Sequence, residues 1–208
     1  MIMNDRVAIA ILAKAPSPGL AKTRLAPLLG NERAALLQAR LIERAAALAS
    51  AAAVGPVTLW AAPDERDSFF RTMARCYGMR LARQREGDLG ARMLSAIAAA
   101  GSPALVIGTD SPALTRTHLQ TAADTLLRGT DVVVLPAEDG GYVLIGMQSP
   151  QPALFESMYW GSPRVLAETR RRLHSLGLSW REPSMLWDLD RPADIERLRE
   201  MGLADMLC

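Results

Sequence analysis

The first segment with a chemical character is a basic loop, Lys14 to Leu25, which follows an apolar run. Only two of the 24 basic residues are lysines, Lys14 and Lys22, and both lie here, with Arg24 close behind. A lysine ammonium is a compact point charge suited to a phosphate, and backbone amides beside Gly19 could approach phosphate oxygens closely. The loop therefore indicates a phosphate site, with an ordinary loop of solvated lysines as the alternative.

This loop differs from the P-loop of nucleoside triphosphatases. The P-loop motif needs a glycine directly before its lysine and another glycine five residues earlier. Those positions hold Ala21 and Pro16 in this chain. A P-loop enzyme is therefore excluded.

A carboxylate follows another apolar run, Ala104 to Ile107, in the order Gly108, Thr109, Asp110. Hard cations such as Mg²⁺ take oxygen ligands, usually one or two carboxylates completed by substrate phosphates. Asp110 is therefore a predicted ligand for Mg²⁺ or Mn²⁺. The alternative is an aspartate that only stabilises a turn or caps a helix.

A second acidic segment contains Asp188 and Asp190. On a strand near Met185–Leu189, residues two apart would point to the same side and could share one ion with Asp110. Asp190 also precedes Pro192 near a predicted helix start, so an N-cap role is equally compatible with the pattern. We prefer Asp188 as the second metal ligand.

The segment Asp139, Gly140, Gly141, Tyr142 links two apolar runs. Asp-Gly is a favoured pair in tight β-hairpin turns, so a structural turn is one interpretation. The other is a ligand-binding segment in which the paired glycines expose backbone amides. The residues themselves do not decide between the two.

The elements that must position these residues alternate between short apolar runs and helical patterns, which predicts an α/β fold with a mostly parallel sheet. Strands are predicted at Val7–Ala13, Val57–Ala62, Ala104–Gly108 and Asp131–Leu135, a hairpin at Val133–Pro136 and Tyr142–Met147, and helices at Glu32–Ala53, Asp64–Arg75, Leu89–Ala100, Thr117–Leu127, Arg164–Leu176 and from Pro192. Asn31 and Asp88 are predicted N-caps. We expect one three-layer α/β/α domain, residues 1–208, with a mixed sheet. Ligands of such sheets bind beyond the carboxyl ends of the strands, where Lys14 and Asp110 are expected.

Net charge and cysteine content bear on the partners and the cellular compartment of the protein. A net charge of +2 carries no sign of a nucleic-acid or membrane partner. Cys76 and Cys208 lie far apart and fit no metal or disulfide spacing, which favours a reducing compartment. No apolar stretch reaches the length of a transmembrane helix, so we expect a soluble cytoplasmic protein. Monomer and homodimer both stay open.

Taken together, the segments resemble a family of small bacterial glycosyltransferase-A-like proteins, the selenium-domain-associated transferases, which are related to molybdenum-cofactor and 2-phospho-L-lactate guanylyltransferases. Six segments carry the resemblance in order: Lys14–Leu25, Gly87–Met93, Gly108–Pro112, Asp139–Gly146, Trp160–Leu166 and Asp188–Asp190. One departure is Arg191, where the family usually has a small hydroxyl residue.

The resemblance implies a nucleotide-diphospho-sugar transferase fold with a nucleotide above the first strands. It implies phosphate contacts from Lys14, Gly19, Lys22 and Arg24, and a nucleotide-side segment that includes Gly87, Asp88 and Arg92. It also implies a metal at Asp110 with Asp188 or Asp190, and a second substrate beside Asp139–Tyr142.

The function that we predict is Mg²⁺- or Mn²⁺-dependent nucleotidyl transfer from a nucleoside triphosphate to a small phosphorylated acceptor, with Lys22 and Asp110 as catalytic residues. One alternative is glycosyl transfer from a nucleotide-diphospho sugar, where the same metal would support the leaving diphosphate. Another is a nucleotide-binding module that performs no reaction.

Overall fold

The computed structural model describes residues 6–101 and 103–207. Its strands are β1 (Ala8–Lys14), β2 (Val57–Ala62), β3 (Arg80–Arg83), β4 (Ala104–Ile107), β5 (Val132–Pro136), β6 (Tyr142–Met147) and β7 (Trp180–Arg181). Its α-helices are α1 (Ala26–Leu29), α2 (Asn31–Ala52), α3 (Ser68–Cys76), α4 (Leu89–Ala100), α5 (Arg116–Leu127), α6 (Val165–Ser175) and α7 (Asp194–Glu200), with 3₁₀ turns at Pro152–Leu154 and Ala204–Leu207.

All seven strands form one sheet in the order β3-β2-β1-β4-β6-β5-β7. β6 alone runs against its neighbours β4 and β5, and every other pair is parallel. The chain moves outward from β1 to β3 and then returns to place β4 on the other side of β1. The carboxyl ends of β1 and β4 therefore flank a switch point, which is where open α/β sheets bind ligands.

Helices cover both faces of the sheet because side chains alternate along each strand. Ile9 and Ile11 of β1 lie in an apolar cluster with residues of α2, α3 and α5. Ala8 and Ala10 face the opposite way and share a second cluster with residues of α4 and α6. The predicted three-layer α/β/α class with a mixed, mostly parallel sheet is confirmed.

One predicted strand is absent from the structure, and two strands were not predicted. The segment Met185–Leu189 is not a strand, because only a single bridge joins Leu186 to Ala137. The edge strands β3 and β7 were not predicted, and their exposed and intermediate residues explain why, since neither forms a continuous apolar run.

Three predictions about helix starts also need correction. α2 begins at Asn31 itself, its N-cap is Gly30, and no side chain caps it. α3 begins at Ser68 rather than Asp64, with Asp67 as its cap. α7 begins at Asp194, whose carboxylate accepts hydrogen bonds from the backbone amides of Asp190 and Arg191, so Asp190 does not cap this helix.

The predicted cap at Asp88 is confirmed. Its side chain accepts a 2.8 Å hydrogen bond from the backbone amide of Ala91 at the start of α4. Cys76 is an exposed free thiol, whereas Cys208 lies outside the described residues. Among the helices in residues 6–101 and 103–207, none combines the length and apolar character needed to cross a membrane.

Candidate functional site

A cleft of about 510 Å³ opens at the carboxyl ends of β1, β2 and β4. Tyr142, the first residue of β6, also reaches the cleft, since β6 runs antiparallel and begins at this edge. The predicted site residues on its wall are Lys14, Lys22, Arg24, Arg92, Asp110, Tyr142, Asp188 and Asp190. The structure thus brings the basic loop and both acidic segments together.

Lys22 lies at the centre of this arrangement. Its ammonium forms an ion pair with Oδ1 of Asp110 and donates a 2.7 Å hydrogen bond to the carbonyl oxygen of Leu189. The Lys22 side chain is only 5% exposed, whereas that of Asp110 is 55% exposed. The backbone of Lys22 has a φ of 47°, a left-handed conformation that costs a residue with a Cβ about 1–2 kcal/mol. Strain of this kind is concentrated at functional sites.

Three contacts hold the late acidic segment in place, two from the Asp110 turn and one from the basic loop. The backbone amide of Leu189 donates to the Asp110 carbonyl at 2.8 Å, and the Ser111 hydroxyl donates to the Trp187 carbonyl at 2.6 Å. The third contact is an ion pair between Arg24 and Asp190. The segment is therefore held in place by turn contacts rather than by strand pairing.

Buried neighbours turn both late aspartates toward the cleft. Trp187 and Leu189 are buried in an apolar cluster with Leu25, α2 and α7. The intervening Asp188 and Asp190 lie on the cleft wall. Side chains of this segment therefore alternate between the apolar cluster and the cleft, as the sequence indicated, although the segment is not a strand.

The electrostatic environment of Asp188 fits a site for a cation. Burial, helped by the nearby carboxylates of Asp110 and Asp139 and opposed by Lys22, raises the pKa of Asp188 to about 7. In residues 6–101 and 103–207, no three His, Cys, Asp or Glu side chains form a metal site by themselves. Asp110 and Asp188 nevertheless suit an ion whose remaining ligands come from substrate phosphates, which is the usual arrangement for Mg²⁺.

Of the three residues predicted to lie beside the nucleotide, Gly87, Asp88 and Arg92, only Arg92 lines the cleft. Arg92 lines the cleft, and its Nε donates a 3.1 Å hydrogen bond to the Gly87 carbonyl. Gly87 and Asp88 do not line the cleft, and the Asp88 side chain caps α4 instead. Gly19, with a φ of 76°, is also outside the lining. Lys14 is on the wall and donates a 3.1 Å hydrogen bond to the Leu20 carbonyl.

The Asp139–Tyr142 segment is the turn between β5 and β6. The Asp139 carboxylate accepts a 2.9 Å hydrogen bond from the Gly141 amide, and the Gly140 carbonyl accepts one from the Leu166 amide at 2.8 Å. Only Tyr142 of this segment lines the cleft, and burial raises the pKa of its hydroxyl. Asp139, Gly140 and Gly141 shape the turn that carries it.

Two glutamines that the sequence interpretation missed support the site. Gln38, buried in α2, donates a 3.1 Å hydrogen bond to the Thr109 hydroxyl, next to Asp110. Gln84 donates to the carbonyl oxygens of Ala13 and Trp60 at 2.9 and 2.8 Å, which joins the ends of β1 and β2. Gln38 could have been recognised as the one strongly polar residue on the apolar face of α2, where a side chain needs a buried partner.

We expect that Gln38→Leu lowers the free energy of unfolding by about 1–3 kcal/mol, because it leaves the buried Thr109 hydroxyl without its partner. Urea denaturation measures this change. The double variant Gln38→Leu/Thr109→Val should be more stable than Gln38→Leu alone, since removing both partners leaves nothing unsatisfied. If the loss of stability in the double variant instead equals the sum of the losses in Gln38→Leu and Thr109→Val, the two residues are not coupled.

Comparison with known proteins connects this geometry to a family. A curated 3-phospho-D-glycerate guanylyltransferase from Phenylobacterium zucineum (strain HLK1) is 34% identical over 200 residues, covering 90% of this chain and 88% of its own. A crystal structure of a candidate nucleotide-diphospho-sugar transferase from Desulfovibrio desulfuricans G20 has a TM-score of 0.81 at 27% identity, covering 89% of this chain and 82% of that one. The predicted resemblance and the transferase class are confirmed.

A more distant structure shares the fold alone. Glucosyl-3-phosphoglycerate synthase from Mycobacterium tuberculosis, solved with Mn²⁺, uridine diphosphate and phosphoglyceric acid, has a TM-score of 0.50 at 12% identity, covering 98% of this chain and 78% of its own. Residues 42–162, more than half of the chain, match the family model described as "Uncharacterized protein conserved in bacteria (DUF2064)". The chain therefore belongs to the DUF2064 family, with the fold of the nucleotide-diphospho-sugar transferases.

Proposed function

We propose that this protein transfers a nucleotidyl group from a nucleoside triphosphate to a small phosphorylated acceptor. A phosphate oxygen of the acceptor forms a bond to the α-phosphorus, the bond between the α-phosphorus and its bridging oxygen to the β-phosphate breaks, and pyrophosphate leaves. The observation that carries this proposal is the ion pair between Lys22 and Asp110, which joins the basic and acidic walls in one cleft. Cations and carboxylates that face each other suit a polyanion bound together with a metal ion.

Asp110 and Asp188 would hold Mg²⁺ or Mn²⁺, with substrate phosphates as the other ligands. Asp188 is preferred to Asp190 because it is buried beside Asp110, whose carboxylate helps to raise its pKa. A divalent cation held there supplies positive charge that offsets the charge developing on the phosphate oxygens.

The basic side chains of the cleft would bind the phosphates and the nucleotide. Lys14, Lys22 and Arg24 would bind the phosphates, helped by backbone amides near Gly19. Lys22, the most buried of the three, would stabilise the developing charge most strongly, because electrostatic interactions gain strength where water is excluded. Arg92, with Gly87 and Asp88 behind it, would flank the nucleotide. Asp139, Gly140, Gly141 and Tyr142 would border the acceptor.

The curated relative suggests which substrates to test first. Its name gives guanylyl transfer to 3-phospho-D-glycerate, so guanosine triphosphate and 3-phosphoglycerate are the substrates that we propose for this chain. The acceptor's own phosphate is the nucleophile, and the reaction therefore requires no covalent intermediate with the protein.

The expected result is release of pyrophosphate from guanosine triphosphate that depends on both 3-phosphoglycerate and a divalent cation. A coupled pyrophosphate assay measures it, and mass spectrometry identifies the guanylylated product. Release of guanosine diphosphate from a guanosine-diphospho sugar, without pyrophosphate from any triphosphate, would instead identify a glycosyltransferase. Tight nucleotide binding with neither product would identify a binding module.

A further inference from the structure

We propose that Lys22 competes with the divalent cation for Asp110, so that the metal binds tightly only after a triphosphate has drawn the lysine away. This inference rests on the proposed function and adds to it a coupling between the two ligands. Lys22 then has two alternating partners, the carboxylate and the phosphate.

The first step is the set of atoms that the Lys22 ammonium contacts. It takes one carboxylate oxygen of Asp110 and the carbonyl oxygen of Leu189. Oxygen atoms of these two kinds are also ligands of hard divalent cations. The ammonium occupies Oδ1, which a metal ion could otherwise take, and its positive charge repels an ion at either oxygen of Asp110. Each cation therefore weakens the binding of the other. The lysine side chain is only 5% exposed, whereas that of Asp110 is 55% exposed, so water screens this repulsion only from the Asp110 side.

The second step concerns what could release the lysine. A lysine ammonium sits on a flexible four-carbon stem and can turn toward a new anion. Arg24, two residues later, is held in the same way by Asp190 on the acidic wall. A triphosphate offers both side chains an anionic partner, so its binding would free both carboxylates at once. Since coupling between two ligands is reciprocal, the metal must strengthen triphosphate binding by the same factor.

The third step is the contrast with the other lysine of the loop. Lys14 lines the same cleft, but its ammonium donates to the Leu20 carbonyl rather than to a carboxylate. Both lysines can attract phosphate, whereas only Lys22 holds a proposed metal ligand. Lys14 therefore provides a control with the same charge in the same loop.

The experiment measures binding of Mn²⁺ alone by electron paramagnetic resonance, and binding of inorganic triphosphate in the presence of a chelator by calorimetry. We expect Lys22→Met to bind Mn²⁺ at least about fivefold more tightly than the wild type and to bind triphosphate more weakly. Lys14→Met should bind triphosphate more weakly with unchanged Mn²⁺ affinity. Lys22→Arg, which keeps the charge, should match the wild type for Mn²⁺.

Equal Mn²⁺ affinity in Lys22→Met and the wild type overturns the inference, as does an equal gain in Lys22→Arg. Circular dichroism verifies folding, and Lys22→Gln replaces the methionine variant should that one unfold. Pyrophosphate release by the wild type is measured in parallel. Release without any gain in Mn²⁺ affinity sinks this inference alone, whereas the gain without pyrophosphate release sinks the proposed reaction alone.

Discussion

Asp110→Asn is expected to lower kcat/KM for pyrophosphate release by about 10³-fold or more, because the amide loses the negative charge that pairs with Lys22 and would hold the metal. The substitution keeps the shape of the side chain. Its backbone carbonyl still accepts from the Leu189 amide, so the fold should persist. Steady-state kinetics with guanosine triphosphate and 3-phosphoglycerate measure the loss.

Asp124→Asn provides the matched control, since Asp124 is an exposed aspartate on α5 outside the cleft lining. Its kcat/KM should stay within about twofold of the wild type, in keeping with the small effects of most surface substitutions. An Asp110→Asn enzyme that folds and retains metal-dependent activity near the wild-type level would remove Asp110 from the mechanism.

Gly140→Ala is expected to lower the free energy of unfolding by about 2–5 kcal/mol. Gly140 has a φ of 90°, where a Cβ costs about 1–2 kcal/mol. A Cβ would also lie 2.1 Å from the Pro163 carbonyl oxygen, and forcing apart such a packed contact costs about 1–3 kcal/mol more. Thermal and urea denaturation measure the loss.

Gly129→Ala separates the two costs. Gly129 has nearly the same φ, 92°, but an added Cβ would meet no atom within 4 Å. It should therefore lose about 1–2 kcal/mol from the backbone alone. Activity should fall further in Gly140→Ala than this loss explains, because the displaced turn carries Tyr142 into the cleft. Equal destabilisation of both variants would show that the turn yields to the added methyl group.

The central strands can be predicted because their burial requires apolar residues that are consecutive in the sequence. β1 up to Ala13 and the whole of β4 are continuous apolar runs, as strands buried on both faces must be, and β2 is apolar apart from Thr58. The edge strands escaped prediction because they are short and partly exposed. The predicted cap of α2 and the predicted starts of α3 and α7 were wrong for a related reason. A polar residue near a helix start is common, and backbone geometry decides which residue begins the helix.

The cleft residues were predictable as types but not as contacts. Lysines after one strand and an aspartate after another had to meet at the carboxyl edge of a parallel sheet. The contact of Lys22 with the Leu189 carbonyl had no signal in the sequence, since it depends on how a turn packs over the sheet. Gln38 and Gln84 were missed because their partners are distant in the chain.

The cleft joins parts of the chain that are made at different times. Lys22 bonds to a residue 88 positions later and to another 167 positions later. At ribosomal rates of about 5–20 residues per second, roughly 10–30 s separate the synthesis of Lys22 from that of Leu189. A growing polypeptide would therefore lack the ion-pair partner of Lys22 until Asp110 is made, and could bind a metal ion and a nucleotide together only after Asp188 has also been made.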